Sequence, residues 1–145
     1  MTGSGGTLGK YSNSTHTVHL NRRLLASDPK AARRTLWHEM MHHVHLEGPA
    51  WYKQAIADHY HARTAAEPVD TLPGYSSPVL GKRDAWYDPY AGRLYGWETD
   101  NTGVEIPTRY IELLSAPEDF ALTWNHPKHQ ETLRVVMSIL LPPPP

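Results

Sequence analysis

Five consecutive residues, His38-Glu39-Met40-Met41-His42, carry the arrangement H-E-x-x-H. On a helix, residues four apart lie on one face, so both imidazoles can reach a single zinc ion while Glu39, one step round, can touch water held by that ion. The spacing is useful only on a helix, and the flanking sequence supplies one independently. Ser27 or Asp28 offers an N-cap, Pro29 suits the first turn, and Gly48-Pro49 stops the run. Between them Ala32, Leu36, Met40 and Val44 recur at helical spacing, with Trp37 and Met41 on an adjoining strip. The predicted helix runs to about Glu47 with the motif in its middle, and Trp37 and Met40 are expected to sink the pair halfway into the core.

Composition limits what completes the site. The chain has 145 residues, ten histidines and no cysteine, which excludes thiolate zinc sites, iron–sulfur clusters, disulfides and cysteine nucleophiles. Any metal is held by imidazole and carboxylate. A catalytic zinc needs a third protein ligand and keeps the fourth position for water. His45 lies about 10 Å along the axis from His38, too far to share an ion on one straight helix, and reads as a surface residue or a neighbour of the ligands. His43 points away from the face. The continuation to Gly48 also lacks the glycine and distant histidine of the longer H-E-x-x-H-x-x-G-x-x-H pattern. A downstream acid remains. Glu112 stands in a helical stretch beside Ile111 and Leu114, where a carboxylate is costly to bury unless paired or metal-bound. Glu98, Glu105, Glu118 and Asp119 compete from loop or first-turn positions, where capping or solvation explains them. The expected set is His38, His42 and Glu112 around Zn2+.

Other elements must position these residues. Gly9 to Leu20 reads as one or two short strands, turning near Asn13, and Ala50 to Thr64 as a second helix. From Glu67 to Thr102 the composition shifts to Pro, Gly, Tyr and Asp, a long irregular segment of the kind that carries function. Further helices are expected over Thr108–Ser115, Pro117–Trp124 and His126–Leu141. The fold class is α+β: a small domain over 9–141 whose metal helix packs on a short sheet, with more helices C-terminal. Residues 1–8 read as a flexible segment and 142–145 as a Pro-rich tail, ends that suit a domain cut from a longer chain. With one phenylalanine, the core is expected from Trp51, Trp86, Trp97 and Trp124. His59, His61, His126 and His129 read as surface residues.

Fourteen basic against fifteen acidic residues give no electrostatic reason to expect nucleic acid or an anionic membrane as partner. No apolar run reaches the ~20 residues of a membrane helix, and the first residues lack the basic and apolar regions of a signal peptide, so the expected setting is the cytoplasm.

The stretch from the metal helix to Glu112 resembles the zincin-like, gluzincin-type metallopeptidase domains encoded by phages and related mobile elements. The residues that carry the resemblance are Trp37 to His43, the Arg63-Thr64 pair, Tyr90-Ala91-Gly92-Arg93-Leu94-Tyr95 and Ile111-Glu112-Leu113-Leu114-Ser115; the serine stands three residues after the acid, one more than the pattern has. The resemblance implies His38, His42 and Glu112 as ligands and Glu39 as general base, with a peptide or protein as substrate. Hydrolysis also needs a hydrogen-bond donor for the oxyanion; Tyr95 is the expected donor, with Tyr90, Tyr110, Arg93 and Arg109 as alternatives. Competing expectations are a structural zinc module in phage assembly and an effector or toxin domain of a longer chain.

Overall fold

A computed structural model describes residues 8–74, 78–95 and 103–142. Its architecture is α+β. Strands β1 (Gly9–Ser12) and β2 (Thr17–Leu20) form an antiparallel hairpin in which Gly9 faces Leu20 and Ser12 faces Thr17. The turn spans 13–16, where the polar run from Asn13 was expected to bend the chain. A short helix, α1 (Arg22–Ser27), follows and has no counterpart among the expected elements. Helix α2 (Pro29–Glu47) starts as its cap residues dictate: an Asp28 Oδ1 atom accepts the Ala31 amide at 2.9 Å, and Pro29 occupies the first turn. Helix α3 (Ala50–Thr64) begins directly after Gly48-Pro49.

The irregular segment is tied down at several points. Strands β3 (Asp70–Thr71) and β4 (Leu80–Gly81) pair antiparallel, and a 3-10 turn covers Pro89–Gly92. Arg63 fastens the segment to the helices: it donates to the carbonyls of Lys128 and Ala85 and to Thr132 Oγ1, with its guanidinium 5.0 Å over the Trp86 ring. Thr64 is used in the same way, its carbonyl accepting from Lys82 Nζ at 3.0 Å. The Arg-Thr pair therefore has a structural explanation.

Helices α4 (Glu105–Leu114), α5 (Pro117–Trp124) and α6 (Pro127–Met137) complete the domain, and the chain continues as a 3-10 turn over Ser138–Leu140. The core lies where α3, α4 and α6 meet, and tyrosines rather than tryptophans dominate it. Tyr52, Tyr60 and Tyr110 are fully buried, with Ile56, Ile106, Leu133 and Val136 around them. Their rings fill the space while their hydroxyls reach the Val136 carbonyl, the Gly92 carbonyl and His129 Nδ1. Of the expected tryptophans only Trp86 is buried; Trp51 packs at the edge, Trp124 is exposed, and Trp97 lies outside the described residues. Trp37 and Met40 are also exposed and do not flank the motif histidines as expected; they line an apolar groove on another face of α2.

Gly92 sits where the loop crosses itself. A Cβ there would lie 1.8 Å from the Lys82 carbonyl oxygen and 2.6 Å from Trp86 Nε1. Gly92→Ala is expected to cost about 2–3 kcal/mol, the range of core overpacking, read as a lowered urea midpoint. Because Gly92 precedes Arg93 and Tyr95, the same substitution also disturbs the side chains that support the site described next.

Candidate metal centre

His38 and His42 stand one turn apart on α2, rings edge to face with centroids 4.8 Å apart. Helix α4 packs across them, and its starting point decides the site. Pro107 reads in the sequence as the boundary before a helix, yet α4 begins two residues earlier and holds Pro107 in its first turn. Proline is tolerated there because a first-turn N–H has no intrahelical acceptor to lose. Glu105 is thereby placed on the helix, two turns from Glu112 and on the same face.

The two acids reach His38 from opposite sides. Glu105 Oε2 lies 3.5 Å from His38 Nε2 and 3.8 Å from His42 Nε2. The donor atoms of His38, His42 and Glu105 all lie within 4.8 Å of one another, a group that could hold a metal ion. Glu112 Oε1 instead meets His38 Nδ1 at 2.6 Å. Glu112 is therefore displaced from the expected ligand set: its carboxylate binds the ring nitrogen that faces away from the group. Glu105, one of the competing acids, is the third member of the group.

The residues fit a small divalent cation on their spacing. Two ligand atoms at ~2.1 Å from a tetrahedral ion are ~3.4 Å apart. The Glu105–imidazole separations are close to that and too long for good hydrogen bonds. Glu105 is 1% exposed, and its hydrogen-bond partners, the Tyr95 hydroxyl and Thr108 Oγ1, are neutral. A buried carboxylate is normally paired or bound to a metal. Two imidazole nitrogens and one carboxylate oxygen form a set suited to a transition-metal ion such as zinc, iron, nickel or copper more than to magnesium or calcium.

Supporting groups hold each donor. A carboxylate oxygen accepts, so the bond to Glu112 puts a proton of His38 on Nδ1 and turns Nε2 towards Glu105 and His42. Arg109 donates to both Glu112 oxygens at 2.8 and 2.9 Å and, through Nε, to Asp88 Oδ2 at 2.8 Å. Asp88 also caps the 3-10 turn through the Tyr90 amide. A chain of bonds thus runs from the irregular segment to His38. Burial lowers the pKa of His38, but the hydrogen bond it donates to Glu112 and the charges of Glu105, Glu112 and Glu39 outweigh it, and the net shift is upward. His42 has no such bond among the described residues, and burial carries its pKa down to about 4.

Glu39 faces the hairpin. Its Oε2 accepts the Tyr11 backbone amide at 2.6 Å, an outward-facing donor of β1. Burial raises its pKa above the ordinary carboxylate value, against the lowering influence of His38 and this amide bond. β1 comes so close to α2 that a Cβ on Gly9 would meet Thr35 Cγ2 at 2.4 Å and Glu39 Cγ at 3.2 Å. Beside this contact lies a cleft of about 340 Å³ walled by residues that include Leu8, Arg34, His38, Glu39, Arg109 and Glu112. Neither His42 nor Glu105 is part of its wall.

The expected oxyanion donors are placed differently. The Tyr95 hydroxyl is used on Glu105, so Tyr95 anchors a candidate ligand and does not present its proton to the cleft. Tyr110 is buried against His129. Arg93 lies 4.1 Å over the Tyr95 ring and donates to the Tyr90 hydroxyl; its Nε is buried and meets no hydrogen-bond partner among the described residues. Glu118 pairs with Lys30, Glu98 lies outside the described residues, and nothing is described of the Asp119 side chain.

Two histidines read as surface residues are buried. His59 is 8% exposed and its Nε2 is bonded to Thr132 Oγ1 at 2.9 Å. His45 is 1% exposed, edge to face with Tyr52, and neither ring nitrogen meets a partner among the described residues. Burial lowers its pKa to about 4. His45→Phe keeps the ring contact and removes two unsatisfied polar atoms, so it is expected to stabilise the fold by about 1–3 kcal/mol. The gain grows in acid. Between pH 6.5 and 4 the unfolded chain takes up a proton at position 45 that the fold refuses, so the wild type loses stability as pH falls. The difference between the two urea midpoints, measured across that window, should widen by the equivalent of about 3 kcal/mol.

Compared with family models, curated proteins and solved structures, the chain finds no match.

Proposed function

We propose that the protein is a zinc-dependent peptidase of the zincin type, in which His38, His42 and Glu105 hold the ion and Glu39 is the general base. The observation that carries this reading is the approach of Glu105 Oε2 to both imidazole Nε2 atoms, 3.5 and 3.8 Å, on a helix whose H-E-x-x-H motif supplies the base. Zinc in this place supplies Lewis acidity to a substrate carbonyl and makes water more acidic. The chain does the rest. Glu112 orients His38, Arg109 holds the Glu112 carboxylate in place by donating to both its oxygens, and Tyr95 with Thr108 fixes the Glu105 carboxylate. Glu39 receives the proton from the attacking water and returns it to the leaving amine, and its raised pKa brings it nearer the range that such a shuttle needs.

The substrate class on this reading is a peptide or an unstructured protein segment, entering the cleft between β1 and α2 where Arg34 and Arg109 stand. The resemblance noted in the sequence adds a phage or mobile-element setting in the cytoplasm. No helix of the described residues is long and apolar enough to cross a membrane.

A second reading is a structural zinc site without turnover, as in an assembly module. It is favoured by the position of His42 and Glu105 away from the cleft wall, since structural sites are closed. The test is metal analysis of protein loaded with zinc and washed, beside cleavage of a peptide library. One equivalent of zinc with chelator-sensitive cleavage supports the peptidase. One equivalent without cleavage supports the structural site, and washed protein without metal overturns both.

A further inference from the structure

The metal group occupies one face of α2, and another face of the same helix borders an apolar groove of about 500 Å³. Helix α2 gives it Trp37, Met40 and Val44, and the rest of its lining includes Ile111 of α4 and Leu140 of the last 3-10 turn. Trp37 is 39% exposed, Met40 53% and Leu140 72%. Folded monomers seldom leave large apolar side chains grouped in the open, and such a patch marks a contact surface. Among the described residues no charged, hydroxyl or amide side chain lines the groove. A small ligand needs such groups to orient it, so the groove suits another apolar surface instead.

The spacing on α2 says which surface that is. Arg33, Trp37, Met40, Val44 and Glu47 follow one another at intervals of four, three, four and three, which keeps them on one stripe of the helix. Turned antiparallel against itself about Met40, the stripe is self-complementary to within one residue. Arg33 of each copy comes opposite Glu47 of the other, the large Trp37 opposite the smaller Val44, and Met40 opposite Met40. Arg33 and Glu47 are both exposed, Glu47 with His16 Nδ1 3.8 Å away. A two-fold contact requires the same patch on both copies to complement itself. We propose that the protein pairs with a second copy of itself through this stripe, each α2 laying Trp37 and Met40 against the groove of the other. Four turns of helix with Leu140 beside them suit the low end of specific interfaces, about 1,200 Å² in total, so the pairing is reversible. Within the H-E-x-x-H motif, Met41 is then a core residue and Met40 an interface residue.

The proposal is independent of metal binding and is tested on the full chain by sedimentation equilibrium from low to high micromolar concentration. Wild type is expected to show a reversible monomer–dimer equilibrium. Met40→Glu, at an exposed position, brings two carboxylates together at the two-fold axis and should leave monomer only. Arg33→Glu and Glu47→Arg should each weaken the dimer about tenfold by setting like charges opposite one another, and the two together should restore it. Because the chain has no cysteine, oxidation of Met40→Cys should also give a covalent dimer, whereas Asp58→Cys, exposed on α3, should not. A wild type that is monomeric at every concentration overturns the proposal and leaves the groove to a different apolar partner. A dimer unaffected by Met40→Glu overturns it as well, and so does a double charge reversal that pairs no better than either single one.

Discussion

Glu105→Ala is expected to release the metal, while Glu112→Gln weakens its binding only about tenfold. The order of the two effects follows from which nitrogen of His38 each acid faces. Glu105 Oε2 is on the Nε2 side with His42, so its removal leaves two imidazoles and no anionic donor. A four-ligand zinc site is worth about 10–16 kcal/mol; one ligand's share is about 3–4 kcal/mol, or a few hundredfold in affinity. Glu112 acts through His38. Glutamine retains an oxygen that accepts the Nδ1 proton, so orientation survives and only the charge is lost, the low end of the tenfold to hundredfold effect of such partners. Glu112→Gln also strands the Arg109 charge on Asp88 alone, so some loss of stability accompanies it. Competition against a chelator of known affinity measures both variants. The reverse order, metal lost with Glu112→Gln and kept with Glu105→Ala, means that Glu112 is the ligand and that the α2–α4 register differs from the one described.

That pair of acids also shows where sequence reading stopped. The elements whose ends are dictated by local chemistry were legible: Asp28-Pro29 and Gly48-Pro49 bound α2 and α3 because a cap and a proline act within one turn. The histidine pair was legible for the same reason, since i and i+4 are neighbours on a helix whatever it packs against. Which acid joins the two imidazoles is not a local property. Glu105 and Glu112 are equivalent to within two turns of one helix, and the choice between them is made by how α4 slides along α2. The hint that was present lay in Pro107, which marks a first turn as readily as a boundary; read as the former, it puts Glu105 on the helix. Glu112 is largely buried and paired, as a carboxylate beside Ile111 and Leu114 must be, but burial does not say with which nitrogen. The core departs from expectation on similar grounds. Tryptophan is the larger ring, yet it was tyrosine that went fully inside, because its hydroxyl could end on the Gly92 and Val136 carbonyls of distant segments, partners no single-chain pattern reveals.

Glu39→Gln should abolish peptide hydrolysis, keep the metal and leave the fold at least as stable as before. The three parts rest on separate observations. Glutamine cannot accept a proton from water, and loss of a positioned general base costs about 10²–10⁴ in rate. Neither Glu39 oxygen is among the donors that group with His38 and His42, so the ion stays. The contact with β1 also stays, because a glutamine oxygen accepts the Tyr11 amide as the carboxylate does. The stability effect follows from the direction of the pKa shift. The folded carboxyl is harder to ionise than the unfolded one, chiefly through burial, so the contribution of Glu39 is fully present below the unfolded value and is lost as pH rises through the folded value. At neutral pH the wild type therefore carries a buried charge that the variant does not. A residue retained at a cost in stability is what a catalytic base should look like. Parallel measurements of zinc content, cleavage rate and the urea midpoint at pH 7 separate the three parts. Undiminished cleavage by Glu39→Gln would remove Glu39 from the mechanism, and a variant that loses its zinc or falls well below the wild-type midpoint would mean that the carboxylate serves the metal or the hairpin instead.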